Sequence, residues 1–386
     1  TFAYWRATTT RWIQNQFEGA LPTIGQRDGN RYSNSMAASF THSIRPTVIS
    51  ETTWGFASDN IPAEMPINGP ELVRELGLTN LAPNLPNVGG VFTVGFTNLG
   101  LTGISSSTSC NPCGFNKKTH FQQNFSSFRG LHTMKGGFYL GYGRYRDLRQ
   151  GNALFGSHTY SNRFTGFTYA DFLLGIPTTA ARNFPAIFQD VSNLNYSGFF
   201  QDDWKIHPKL TLNLGVRYEL KPGFTAAGGQ QAVFDIGSGK IVVPDGGLSL
   251  VSPLMPRGYV DVVEASAVGF PGSTLIRTDR NNFAPRVGFA WRPLDNKTVF
   301  RGGFGIFYDL VARNASAAGV PFNLNEPNFT NPATNPTLVL PTVFPATSAG
   351  PTSVTIPGAI NPDIRIPYSM QYSATIEHER GDVGFR

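Results

Sequence analysis

Eleven residues from Leu210 to Leu220 alternate without error. Leu210, Leu212, Leu214, Val216, Tyr218 and Leu220 fall on one face, and Thr211, Asn213, Gly215, Arg217 and Glu219 on the other. A period of two with one apolar side marks a strand that separates two environments. The preceding run, Tyr196 to Trp204, reads as a second strand, joined to the first by a polar turn at Lys205-Ile206-His207-Pro208. The same unit recurs. Phe283, Pro285, Val287, Phe289 and Trp291 alternate with polar or small residues, and a turn follows at Pro293-Leu294-Asp295-Asn296. Thr298, Phe300, Phe304, Ile306 and Tyr308 alternate next, and Tyr368 to Ile376 repeats the pattern before a turn at His378 to Asp382. Less regular hairpins cover Arg31 to Ala57, turning at Ser43-Ile44-Arg45-Pro46, and His120 to Arg146, turning near Arg129-Gly130-Leu131. An opening strand spans Phe2 to Ile13, with a loop through Gly19 to Gly29.

The connections alternate in length. The turns are short, about two to five residues, as hairpin turns usually are. The intervening stretches, Ser58 to Thr119, Asp147 to Asp190, Pro222 to Arg280 and Leu310 to Arg365, are long and rich in Pro, Gly, Asn, Ser and Thr. A compact soluble domain rarely carries even one structureless loop beyond about 12–15 residues. Short turns at one end and long loops at the other are the asymmetry of outer-membrane barrels. The clean strands run about 10 to 13 residues, where a tilted spanning strand needs about 9–11. Aromatics at strand ends (Trp204, Tyr218, Trp291, Tyr308, Tyr368) suit an interfacial girdle. The expected fold is all-β: a transmembrane antiparallel up-and-down barrel, present in part as about ten or eleven strands.

Composition agrees with this without deciding it. Charged residues make up 15% of the chain, below the roughly 25% of soluble domains. The 31 Phe and 42 Gly suit lipid-facing strands and tight turns. The net charge of +6 comes from scattered Lys and Arg without a clustered patch, so no nucleic-acid partner is expected. No signal peptide is visible at Thr1, and the chain reads as an internal fragment. Cys110 and Cys113 form a C-x-x-C. That pattern serves a redox pair, half a zinc site or a small loop disulfide in an oxidising compartment, and the disulfide is the expectation. No Walker loop, Rossmann glycine pattern or G-x-S-x-G occurs, so no cofactor, metal or enzyme activity is expected. Asp147 and His158 are close enough in sequence to suggest a rim catalytic pair, but a chance pair in a long loop accounts for them.

The segments YSGFFQDDWKIHPKLTLNLGVRYEL, NNFAPRVGFAWRPLDNKTVFRGGFGIFYD and YADFLLGIP, with the terminal IPYSMQYSATIEHERGD, resemble the barrel of Oar-like TonB-dependent receptors of the outer membrane. The resemblance covers about Phe121 onward. It implies a barrel of about 22 strands, a plug inside it, energy from TonB, ExbB and ExbD, and often an N-terminal carboxypeptidase-regulatory-like domain. Residues 1–386 would then be part of the barrel, without plug or TonB box. The expected partners are outer-membrane lipid, the TonB system through the plug, and an unidentified substrate met at the long loops. A passive porin, a secreted β-rich adhesin and an outer-membrane enzyme remain alternatives. Leu212, Leu214, Phe289 and Phe304 are expected to point outward. Arg217, Glu219, Arg286, Arg292 and Arg301 are expected to face the lumen, where solvation alone accounts for charges. Lys205–Pro208 should face the periplasm.

Overall fold

A computed structural model describes residues 1–17, 26–63, 69–81, 88–90, 92–98, 100, 103–104, 108–149, 155–184, 187–293, 297–309, 316–317, 319–346, 350–351, 353–380 and 383–385. Among the described residues one sheet has thirteen strands, eleven of which follow in chain order: β1 (Phe2–Phe17), β2 (Gln26–Arg45), β3 (Val48–Ala63), β4 (Thr108–Arg129), β5 (His132–Arg149), β6 (Ile187–His207), β7 (Leu210–Leu220), β8 (Phe283–Trp291), β9 (Thr298–Tyr308), β10 (Tyr368–Arg380) and β11 (Val383–Phe385), while the short Val88–Gly90 and Thr225–Ala226 add to β4 and β6. Every neighbouring pair is antiparallel. This is the up-and-down meander of a barrel wall. Among the described residues β1 and β11 lie at opposite ends of the sheet and do not pair, so the wall is open.

The short turns are tighter than the sequence suggests. The hairpin between β2 and β3 turns at Pro46-Thr47, and that between β4 and β5 at Gly130-Leu131. The β6–β7 turn is Pro208-Lys209 rather than Lys205–Pro208. A register shift between Trp204 and His207 lets β6 continue past the point where its alternation breaks, because a bulge absorbs one residue without ending the ladder. The turns expected at 293–296 and 378–382 lie partly outside the described residues, as does the loop expected from Gly19 to Gly29.

Strands β7 to β10 have the expected length, but β1 to β6 run from 16 to 22 residues. Their added length lies toward the long-connection end, where both faces are wet. There the hydrophobic alternation stops while backbone pairing goes on. Ion pairs join neighbouring strands at that level. Arg144 donates to both oxygens of Asp190 at 2.8 and 2.6 Å between β5 and β6, and Arg31 Nε donates to Asp59 at 2.8 Å between β2 and β3.

Cross-strand partners share a face. The register therefore carries the apolar side across the sheet: Phe121 opposite Leu140, Leu140 opposite Tyr196, Trp204 opposite Leu212, Leu212 opposite Phe289 and Phe304 opposite Tyr372. These rings and aliphatic chains are largely exposed within the chain. The residues with almost no exposure lie elsewhere, chiefly in the long connections. The hydrophobic pattern is thus inverted relative to a soluble domain, with apolar surface on the wall and cores beyond its rim.

Those cores correct the reading of the long connections as structureless. Thr93–Phe96, Ser157–Tyr160, Thr179–Ala181 and Phe329–Thr330 form one four-stranded sheet from three separate connections. Its core joins Val73 and Leu81 with Phe155 and Ala180, and with Val343 and Phe344. A second lobe is built on Gln231–Asp235, Lys240–Val243 and Val262–Glu264. In that lobe Ile241, Val243 and Ala232 pack on Phe322, and Val233, Val242 and Leu275 pack on Phe270.

Candidate functional site on the polar face

The polar face of β6 to β8 holds a cavity of about 460 Å3. Its polar-face lining includes Gln201, Asn213, Gly215, Arg217, Arg286 and Gly288. Their convergence follows from register. Gly215 stands opposite Gln201 and Arg286, Asn213 opposite Gly288, and Gly288 opposite Gly303. Three glycines thus form a patch without side chains, flanked by two guanidinium groups.

Nothing inside the chain demands those glycines. A Cβ on Gly215 would come no closer than 3.4 Å to another atom, on Gly288 3.5 Å and on Gly303 3.7 Å, and none of the three has a left-handed φ. These are ordinary contacts. Their neighbour Gly302 differs, since a Cβ there would run into the Phe289 ring. Glycine in a strand interior gives up about 0.5–1 kcal/mol relative to alanine, and commonly marks a place where a ligand or another backbone comes close.

The two arginines are held differently. Arg217 donates from Nε to Glu219 and from Nη2 to Ser197 Oγ, both at 2.7 Å. Lys221 forms an ion pair with the other Glu219 oxygen. This triad keeps one net positive charge, but the Arg217 guanidinium is already committed to Glu219 and Ser197. Arg286 lies over the Phe307 ring, 4.5 Å from its centroid, and has no carboxylate partner among the described residues. It is an exposed cation oriented by an aromatic platform, the more available of the two for an external anion. Arg301 donates to Glu377 at 3.2 Å. Arg292 lies apart at the short-turn end, donating to the Pro208 carbonyl at 3.1 Å. The five charges singled out from sequence therefore do not form one site. Arg217, Glu219 and Arg286 come together, while Arg292 and Arg301 belong to other contacts. Sequence reading missed Gln201, Asn213 and Phe307, and it passed over the glycines at polar-face positions, which were the available signal.

Other singled-out residues prove structural. Cys113 is disulfide-bonded in a chain of two cysteines. Both Cys110 and Cys113 lie within β4, not in a loop, because the ladder with β3 extends to that level. His158 is buried between Phe92 and Phe344, ring centroids 6.0 and 5.7 Å away, and burial lowers its pKa to about 4. Asp147 sits on β5, paired in register with Gln189, so it belongs to the wall and His158 to the lobe core. In YADFLLGIP, buried Asp171 accepts from the backbone N–H groups of Phe164 and Thr165, and Phe172 packs edge-on to Tyr160. In NNF, buried Asn282 donates to the carbonyls of Glu219 and Asp279, fixing the entry to β8.

The description outer membrane beta barrel domain matches residues 1–383. Among solved structures the chain is similar to the outer membrane transporter YddB from Escherichia coli, with 11% identity and a TM-score of 0.45 over 98% of this chain and 36% of that one. It is similar to the siderophore receptor PirA from Acinetobacter baumannii, with 11% identity and a TM-score of 0.37 over 94% and 34%. It is also similar to the ferric-catecholate import receptor Fiu from E. coli K12, with 11% identity and a TM-score of 0.38 over 95% and 40%. The chain spans under half the length of each of these structures. No curated protein matches the sequence significantly.

Proposed function

Since the chain belongs to the outer membrane beta barrel domain family, we propose that it forms part of the wall of a plugged, TonB-dependent receptor that carries a substrate across the outer membrane. The supporting observation is the glycine patch beside Arg286. An empty porin lumen is lined by side chains in water, which gains nothing from glycine. A lumen filled by another folded segment does gain, because that segment's backbone can approach the wall and offer a carboxylate to Arg286. The polar face is then the lumen face.

In this reading the folded lobes at the external rim meet substrate first. The plug blocks the lumen until TonB, driven by ExbB and ExbD, displaces it. The wall supplies a fixed polar track and performs no bond chemistry. Substrate class is not assigned. The test is conductance of the full-length protein in planar bilayers with potassium chloride. A plugged receptor stays closed and conducts in large steps only when urea loosens the plug. Steady large-step conductance without urea would show an open porin and overturn the proposal.

A further inference from the structure

Four of the six histidines share a position that nothing above explains. His42, His132, His207 and His378 all lie close to the short periplasmic turns. The register puts all four on the apolar face: His42 in line with Ser50 and Phe125, His132 opposite Trp204, His207 opposite Leu210, and His378 opposite Thr298. They also share an orientation. In each ring Nδ1 is engaged by the protein: with Thr1 Oγ1 at 2.8 Å, with Asp202 at 2.6 Å, with the Lys209 backbone N–H at 3.2 Å, and with Thr298 Oγ1 at 3.0 Å. Each therefore keeps Nε2 for a partner outside the sheet. The rings are also braced, His42 stacked on Phe40 and His132 on Trp204. The other two histidines differ. His120 stacks on Tyr139 on the polar face, and His158 is in a lobe core. Arg45 and Arg129 stand on the same face at the same level, opposite Val48 and His132. Among the described residues, the carboxylate that engages one of these rings, Asp202, is taken up by His132.

We propose that this belt binds the phosphate groups of inner-leaflet phospholipids, fixing the depth of the wall at its periplasmic boundary. A lipid-facing imidazole is costly in hydrocarbon, but at headgroup level its apolar body rests on the sheet and an Nε2–H meets an acceptor; His132, which gives its Nδ1–H to Asp202, contributes its stacked ring rather than a donor when neutral. His207 makes the point most clearly. Its Nδ1 accepts from a backbone N–H, so the neutral ring carries its proton on Nε2, aimed at an external acceptor. Arg45 and Arg129 add positive charge where lipid phosphates lie. Phosphate fits this donor set, and an interfacial position supplies it as lipid.

The inference rests on the apolar face being the lipid face, which is measured separately. Trp54, Trp204 and Trp291 lie on that face, and lipids brominated on the acyl chain should quench their fluorescence. Absence of quenching overturns the face assignment and the belt with it. The belt itself is tested by native mass spectrometry of the full-length detergent-solubilised protein with added phosphatidylglycerol. Replacing the four histidines together by Phe keeps the stacking and removes Nε2. It should weaken lipid binding at least about fivefold, while replacement by Gln, which keeps an amide donor, should stay within about twofold of wild type. The single His207→Phe, at an exposed position, should shift binding in the same direction if the fourfold variant does not fold. Unchanged binding in the Phe variants, or an equal loss in His120→Phe, overturns the proposal while leaving the face assignment intact.

Discussion

Single residues on the wall carry two kinds of information. Where a glycine makes room for a neighbouring side chain, as Gly302 does for the Phe289 ring, it reports on packing within the chain. Where it does not, as at Gly288, it reports on something outside it. This distinction makes a prediction. Gly288→Ala should be neutral or raise wall stability by about 0.5–1 kcal/mol, since its Cβ meets only ordinary contacts and the unfolded chain loses freedom. Loss of heat-modifiable gel mobility as a function of temperature measures it. Gly288→Trp in the full-length protein should fill the cavity, displace the lumen occupant and raise resting bilayer conductance. A closed, wild-type baseline in that variant would show that nothing packs there. Arg286 is legible in sequence as a polar-face charge. That it lies over an aromatic ring rather than beside a carboxylate is not, because this depends on Phe307 being placed by the neighbouring strand.

At the level of elements, β7 to β10 are readable because lipid on one side and water on the other write a period of two into the residues. The upper ends of β1 to β6 are not, since two wet faces leave no such record. The end of β6 is obscured by its bulge. The short lobe strands are unreadable for another reason. Thr93–Phe96 and Ser157–Tyr160 owe their pairing to partners in distant connections, and four residues carry no usable period. The second of these strands makes a pH prediction. His158 is buried, and its pKa falls from 6.5 to about 4. The unfolded lobe therefore binds a proton that the folded lobe does not, between about pH 6.5 and about 4. Lobe stability is complete above pH 6.5 and declines as pH falls through that window, by up to roughly 3 kcal/mol. Amide exchange of Ser157–Tyr160 should accelerate accordingly, and His158→Phe should abolish the pH dependence. An unaltered dependence in that variant would assign it to other groups.

Across the whole molecule, the long connections are tied to one another by a buried cluster. Arg182 pairs with Glu326 and is nearly excluded from solvent, donates to the Asn80 carbonyl at 2.8 Å, and lies over the Phe344 ring at 5.3 Å. Three connections converge on this one guanidinium. Glu326→Ala leaves it buried and uncompensated, at a cost of about 3–5 kcal/mol. The lobe should then open, and trypsin should cleave the membrane-embedded protein at sites protected in wild type. The double change Arg182→Met with Glu326→Leu should restore protection, because it removes the charge as well as its partner. Resistance of Glu326→Ala to trypsin would mean that the hydrophobic core alone holds the lobe.

That convergence also sets an order of events. Phe155 and Ala180 become available once β5 and β6 are in place, but their core is completed by Val343 and Phe344, which lie between β9 and β10. Within the wall each hairpin closes a short turn at small entropic cost, and the hairpins then pair with one another across the long connections. The lobe waits on contacts with very large sequence separation. The outer surface of this protein is therefore the last part to reach its final shape, and a wall halted before β10 presents raw apolar loops to the outside.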